Sequence, residues 1–301
     1  MITKLQQILD EAVARGRKKL AVAYACDAHT LTAVDDAVKA GLVTPILFGP
    51  EAETRSLCDE MGIDTSSYTF VDAKADTECV TLAVKAVAEG EADILMKGLV
   101  PTDKYMRGIL NRDAGLFPPK GTLSHVSVCE MPGYHKLLCL SDVAVIPQPD
   151  FKQKTILIKY LTKVAVELGI KQPKIACIAP SEQVLPSVLS STEGAILAKM
   201  GDRGQLGNVT VDGPLSLDVA LFAESAKEKK VRGSEVAGDA DCLLFPNIES
   251  ANVFFKAATH FGGATMAALV MGTNVPCVLT SRGDTPLTKL YSIALASLMA
   301  K

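Results

Sequence analysis

No apolar run in the chain approaches the roughly 20 residues that a transmembrane helix needs; proline, glycine or charge interrupts each of the short ones. A membrane-spanning protein is therefore not expected. Positive charge is not in excess either, because 31 Lys and Arg stand against 34 Asp and Glu for a net charge of -3. No overall field exists to draw in a nucleic acid or an anionic membrane, so any anionic ligand has to meet local cations. The eight cysteines contain no CxxC pair, and most lie in apolar runs such as KIACIAP and DCLLFP. They read as reduced core residues, which places the chain in the cytoplasm. Residues 1–15, MITKLQQILDEAVAR, read as an acid-containing amphipathic helix with no signal-type apolar core, so no export is expected.

Several chemical motifs are missing as well. No GxxxxGK[ST] is present, which argues against a P-loop nucleotide hydrolase, and no GxSxG nucleophile elbow appears. Gly201, Gly204 and Gly207 are spaced GxxGxxG but follow no expected strand, so they make no dinucleotide fingerprint. The four histidines, at 29, 125, 135 and 260, lack the close pairing and acidic company of a zinc site and read as structural. No metal site is expected.

What remains is an α/β pattern. Hydrophobic residues make up 48% of the chain and charged ones 22%, enough apolar surface for a core and too little charge for disorder. A length of 301 residues favours two domains. Strands are expected at 20–25, 43–48, 68–71, 94–97, 175–179, 242–245, 264–270 and 277–280, alternating with helices in the manner of parallel strands joined by crossovers. In 76–90, Val80, Ala83 and Val87 share a helical face; in 248–261, Val253, Ala257 and Phe261 do the same. The runs 123–130 and 136–146 flank Met131, Pro132, Gly133 and Tyr134 and read as a hairpin near a domain boundary. A long helix from Lys152 to about Leu168 then opens the second domain.

Three strand ends are polar. Lys97 and Gly98 lead from one strand into a helix that Thr102 or Asp103 is placed to cap, which suits an anion site with Lys97 as the added charge; the plainer reading is a surface lysine on an ordinary turn. Arg107 follows on the same helix, facing the strand ends or solvent. Ser281, Arg282, Gly283 and Asp284 end another strand, with a hydroxyl for an oxyanion and a guanidinium fork for phosphate, or else they form a capping loop. Asn247 and Asn252 stand where a third helix begins, as caps or as ligand contacts. A ligand crevice in an α/β sheet needs such polar ends at its carboxyl edge.

Together, LMKGLVPTDKYMRGIL, LSHVSVCEMPGYHKLLCLSDVAV, DGPLSLDVA, VAGDADCLLFPNIESANVFFK and LTSRGDTPLTKLYSIALA resemble the phosphate acetyl/butyryltransferase family, closer to its butyryl branch. The resemblance implies a two-domain α/β/α sandwich like that of isocitrate and isopropylmalate dehydrogenases. Its first domain would be discontinuous, 1–123 plus 271–301, its second would span 124–270, and its active site would lie in the cleft between them. It implies a homo-oligomer, dimer or higher, with no tightly bound cofactor. Coenzyme A, acyl-CoA, inorganic phosphate and acyl phosphate would be the ligands. Ser281 would stabilise the reacting centre, Arg282 and Arg107 would contact phosphate, and Lys97, Gly98, Gly283, Asn247 and Asn252 would line the phosphate and coenzyme A site. The acetyl branch carries an aspartate base seven residues after the serine, whereas this chain has Thr288. Asp284 is the nearest acid to replace it. Two rivals are a decarboxylating NAD-dependent dehydrogenase, for which no metal-binding aspartate cluster can be assembled, and a non-catalytic acyl-CoA or phosphate-binding protein, suggested by Thr288.

Overall fold

A computed structural model describes residues 1–281 and 283–301. In chain order the elements are α1 (Leu5–Ala14), β1 (Lys18–Ala23), α2 (Ala28–Lys39), β2 (Val43–Gly49), α3 (Glu51–Glu60), β3 (Thr69–Asp72), α4 (Asp76–Ala88), β4 (Ile94–Lys97) and α5 (Thr102–Leu110). They continue with β5 (Ser124–Glu130), β6 (Leu138–Ser141), α6 (Phe151–Glu167), β7 (Lys174–Ile178), α7 (Leu189–Asp202), β8 (Thr210–Leu215), α8 (Leu217–Leu221) and α9 (Ala223–Glu228). Last come β9 (Cys242–Leu244), α10 (Ile248–His260), β10 (Thr265–Met271), β11 (Cys277–Val278) and α11 (Pro286–Met299). The chain divides into two compact units, one of Met1–Leu5 with Thr122–Met266 and one of Gln6–Gly121 with Ala267–Lys301. Residues 1–5 join the first because Ile2 N–H donates to Leu168 O and Leu5 N–H to a Glu130 carboxylate oxygen at 2.7 Å.

In the unit of Gln6–Gly121 and Ala267–Lys301, the strands run in the order β3-β2-β1-β4-β11-β10. β1, β2, β3, β4 and β11 are mutually parallel, while β10 runs antiparallel to β11. The all-parallel arrangement expected from the strand–helix alternation therefore fails at this pair, where the short link 272–276 leaves no room for a crossover helix. Every residue of β4 is buried, as are the last four of β1, which is why both read as unbroken apolar runs. α4 buries Val80, Ala83 and Val87, the face its spacing predicts.

The other unit orders its strands β5-β6-β9-β7-β8. β5 and β6 form the antiparallel hairpin, with Val128 opposite Cys139, and β6, β9, β7 and β8 are parallel. An ion cluster fastens this hairpin to the start of β9. Lys136 Nζ lies 2.8 Å from Asp239 and 2.6 Å from Asp241, Lys174 Nζ lies 2.7 Å from Asp239, and Tyr134 OH donates to Ala240 O at 2.6 Å. α6 opens on a capping box made by Asp150 and Gln153.

Two expectations need correction here. β8 has no counterpart among the expected strands, because its sequence TVDGPL carries Asp, Gly and Pro, all poor strand formers. On α10 the buried residues are Ala251, Phe255 and Ala258, whereas Val253 is 68% and Phe261 92% exposed. The helix is turned so that Phe255 enters the core beside Phe245 and Leu243, leaving the stripe through Val253 and Phe261 outside. All eight cysteines are free, and seven are buried. Burial pushes the Cys129, Cys177 and Cys277 thiols up to about 12, so they stay protonated.

Candidate active site

The parallel register of β1, β4 and β11 brings three chain segments off one sheet edge at one level. Ala23 stands opposite Lys97, and Met96 opposite Val278. Each strand then turns into a helix whose N-terminal N–H groups face that edge: β1 into α2, β4 into α5, and β11 into α11. Tyr105 of α5, fully buried, ties the last two strands together from beneath; its hydroxyl donates to Val278 O at 3.1 Å and reaches Leu95 O at 3.4 Å.

The turn after β4 is built around close approach. Gly98 N–H donates to Ala23 O and Leu99 N–H to Tyr24 O, both at 2.9 Å. A Cβ on residue 98 would stand 2.3 Å from Tyr24 O and 2.8 Å from Ala23 O, so only glycine lets the two chains meet. Gly98 thus shapes the turn, and its N–H is already paired, which removes it as an anion donor. Lys97 is 2% exposed and donates to Gly98 O at 3.2 Å and Val100 O at 3.1 Å. Its ammonium is therefore an internal charge at the site edge, not a surface lysine. Neither Thr102 nor Asp103 caps α5; Pro101 holds the cap position, and no side chain bonds there. Arg107 is 81% exposed and lies 3.6 Å from Asp103, one turn back on the same helix, so the structure does not bring it to the strand ends.

The turn after β11 is closed by an acid. Asp284 Oδ2 accepts the Ser281 N–H at 2.7 Å, and Asp284 N–H donates back to Ser281 O at 3.2 Å. Ser281 itself is exposed. Arg282 lies outside the described residues. Around Gly283 a Cβ would meet nothing within 4 Å, so neither space nor backbone requires glycine there. Thr285 caps α11 by accepting the Thr288 N–H at 3.2 Å, and the two hydroxyls are also 3.2 Å apart. Thr288 consequently belongs to the cap.

Sequence reasoning missed Lys289. It is 3% exposed, and its Nζ donates to Ser281 O at 3.1 Å and Thr280 Oγ1 at 3.3 Å. Burial pulls its ammonium below the ordinary lysine value, and Asp27 and Asp284 act in the opposite sense. Asp27 caps α2 through the Thr30 N–H at 2.9 Å. The neighbouring Cys26 thiol is pushed up, chiefly by burial and then by Glu53 and Asp27, so it makes a poor thiolate.

In the other unit, Asn247 and Asn252 have structural duties. Asn247 caps α10 by accepting the Ser250 N–H at 3.0 Å, and Asn252 Nδ2 donates to Val143 O at 3.1 Å. Among the described residues no group of three His, Cys, Asp or Glu side chains is arranged to hold a metal ion. Nor is any helix among them long and apolar enough to cross a membrane.

What converges on the carboxyl edge of the discontinuous unit is thus two buried ammoniums, a serine hydroxyl and the N-termini of three helices, all of which favour negative charge on a reacting oxygen. The family model for phosphate acetyl/butaryl transferase matches residues 74–297. The chain is 42% identical to the phosphate butyryltransferase of Clostridium acetobutylicum, over 100% of this chain and 99% of that one. It is 40% identical to the phosphate acetyltransferase of Thermotoga maritima, over 98% and 99%. The crystal structure of a branched-chain phosphotransacylase from Enterococcus faecalis V583 superposes with a TM-score of 0.80 at 29% identity, covering 94% of this chain and all of that one. With the match running through both polar turns and over nearly the whole length, the chain belongs to the phosphate acetyl/butyryltransferase family.

Proposed function

We infer that the protein is an acyltransferase that moves a short acyl group reversibly between coenzyme A and inorganic phosphate. The single observation that supports this reading is that Lys97 ends a strand paired with the one leading into the Ser281–Lys289 contact, on a chain of this family. A phosphate oxygen attacks the thioester carbonyl, the C–O bond forms, the C–S bond breaks, and the thiolate leaves to take up a proton. Negative charge builds on the carbonyl oxygen during attack. The Ser281 hydroxyl supplies one donor to it, about 3 kcal/mol if well placed. Its own backbone N–H does not contribute, since Asp284 already accepts it.

Arg282 is proposed to grip the phosphate in two places, as the family resemblance implies. Lys97 and Lys289 add fixed positive charge from below the surface. Among the described residues Asp284 is tied into the Ser281 turn, so these cations, rather than a dedicated base, stabilise the departing thiolate and raise the thiolate fraction of the attacking thiol in the reverse direction; a thiol of pKa about 8.5 needs only a modest downward shift to ionise near neutrality. The two α/β units, one of them assembled from Gln6–Gly121 and Ala267–Lys301, support placing the chain in the isocitrate/isopropylmalate dehydrogenase-like class.

Butyryl-CoA is the first substrate to offer and acetyl-CoA the second, since relatives named for each are about equally similar. With purified protein, free thiol should appear when phosphate is added, without NAD or magnesium. Binding of butyryl-CoA with no phosphate-dependent thiol release would instead establish a non-catalytic binding protein, the reading that Thr288 motivates. Ser281→Ala should lower kcat on the order of 100-fold, and Arg282→Ala should raise the phosphate concentration needed.

A further inference from the structure

The geometry points to Lys289 as the positioning residue that holds the Ser281 turn in its working shape by bridging it to α11. This rests on the reaction assigned above for its catalytic consequence, though not for its structural content. Among the described residues the turn is also tied by the reciprocal pair between Ser281 and Asp284. Lys289 adds two more oxygens to the frame, the Thr280 hydroxyl at the end of the strand side and the Ser281 carbonyl at the turn itself.

The placement of this lysine is costly in two separate ways. Its ammonium is 3% exposed, and burying a cation without a directly paired carboxylate is unfavourable. It also stands in the first turns of α11, the positive end of the helix dipole, where acids are favoured and cations are not. Among the described residues no carboxylate pairs with it directly; Asp27 and Asp284 act on it through space. A methionine would fill the same volume without either cost. What methionine cannot do is donate to Ser281 O and Thr280 Oγ1, and those two bonds are what the lysine provides.

Lys289→Met is the test, read in two ways. Amide hydrogen exchange over residues 279–285 should speed up in the variant while the strands keep their protection, and this readout needs no enzymatic activity. In the thiol-release assay kcat should fall on the order of 100-fold, the size expected when a reacting group is misplaced by about 1 Å. The KM for butyryl-CoA should change little. Thermal stability should hold or rise, whereas a purely structural role would lower it and leave kcat per folded molecule unchanged. Lys289→Gln, which keeps an N–H donor, should recover part of the lost kcat.

Unchanged exchange in the turn overturns the proposal, whatever happens to kcat, because a drop in kcat alone would make Lys289 a direct contact to substrate. A wild-type protein that releases no thiol from either acyl-CoA would refute the assigned reaction instead, and the exchange experiment would still decide the role of Lys289.

Discussion

The carboxylate of Asp284 accepts the backbone N–H of Ser281 at 2.7 Å, which ties this acid into the turn that carries the serine. On the reading proposed above, this acid positions the turn and is not the base. Asn offers the same acceptor without the charge or basicity, and the difference is measurable. Asp284→Asn should retain most of the activity, within about 10-fold, while Asp284→Ala should lose considerably more by opening the turn. Equal losses in the two variants, measured as kcat for thiol release, would show that Asp284 acts as a base after all.

Gly98 gives a prediction about stability rather than rate. A methyl group there must displace Tyr24 O or Ala23 O, so the β1–β4 pairing has to part locally. Gly98→Ala should cost about 1 to 3 kcal/mol in urea unfolding, seen as a lower midpoint at unchanged slope. Gly283→Ala is the matched control, because its new methyl meets nothing within 4 Å. It should fall within about 0.5 kcal/mol of wild type. Indistinguishable midpoints for the two variants would refute the close-approach account of Gly98.

Acid should weaken the unit that carries the hairpin. Burial works to raise the Asp239 carboxyl, but hydrogen bonds from Lys136 and Lys174 outweigh it and hold the pKa down at about 2. The folded value lies below the unfolded one, so the stabilising contribution is complete above the unfolded pKa, about 3.9, and is lost as pH falls through the folded value. Urea midpoints should therefore decline between about pH 4 and pH 2. Lys174→Met removes one of the two partners and should flatten that decline; a slope as steep as wild type would assign the acid sensitivity elsewhere.

How far the sequence alone could lead is clearest at these same positions. β4 was legible to the residue, 94–97, because a strand buried on both faces has to be an unbroken apolar run and its end is marked by charge and glycine. The β5–β6 hairpin was legible for a similar reason, two apolar runs around a Pro-Gly turn. The role of Gly98 was not, since it depends on which strand lies alongside, and pairing between residues 23 and 97 leaves no local trace. Lys289 was invisible because a lysine in a helix normally reaches water; only the packing around it shows that it does not. For Asn247 and Asn252 the sequence left cap and ligand contact equally open, and only the structure shows their hydrogen bonds to Ser250 and Val143. On α10 three apolar residues at helical spacing suggested a core face, but a second apolar set at the same spacing, Ala251, Phe255 and Ala258, is the one buried.

β11, two residues long, occupies the place between β4 and β10. Synthesis therefore delivers this central piece of the sheet only after 122–266 has been made. While the ribosome is still making it, 122–266 is already a continuous stretch able to collapse alone, and β4 waits with one flank unpaired. An uncovered parallel strand is a site for mispairing, so slow translation or truncation near residue 277 endangers the half made first more than the half made in the middle.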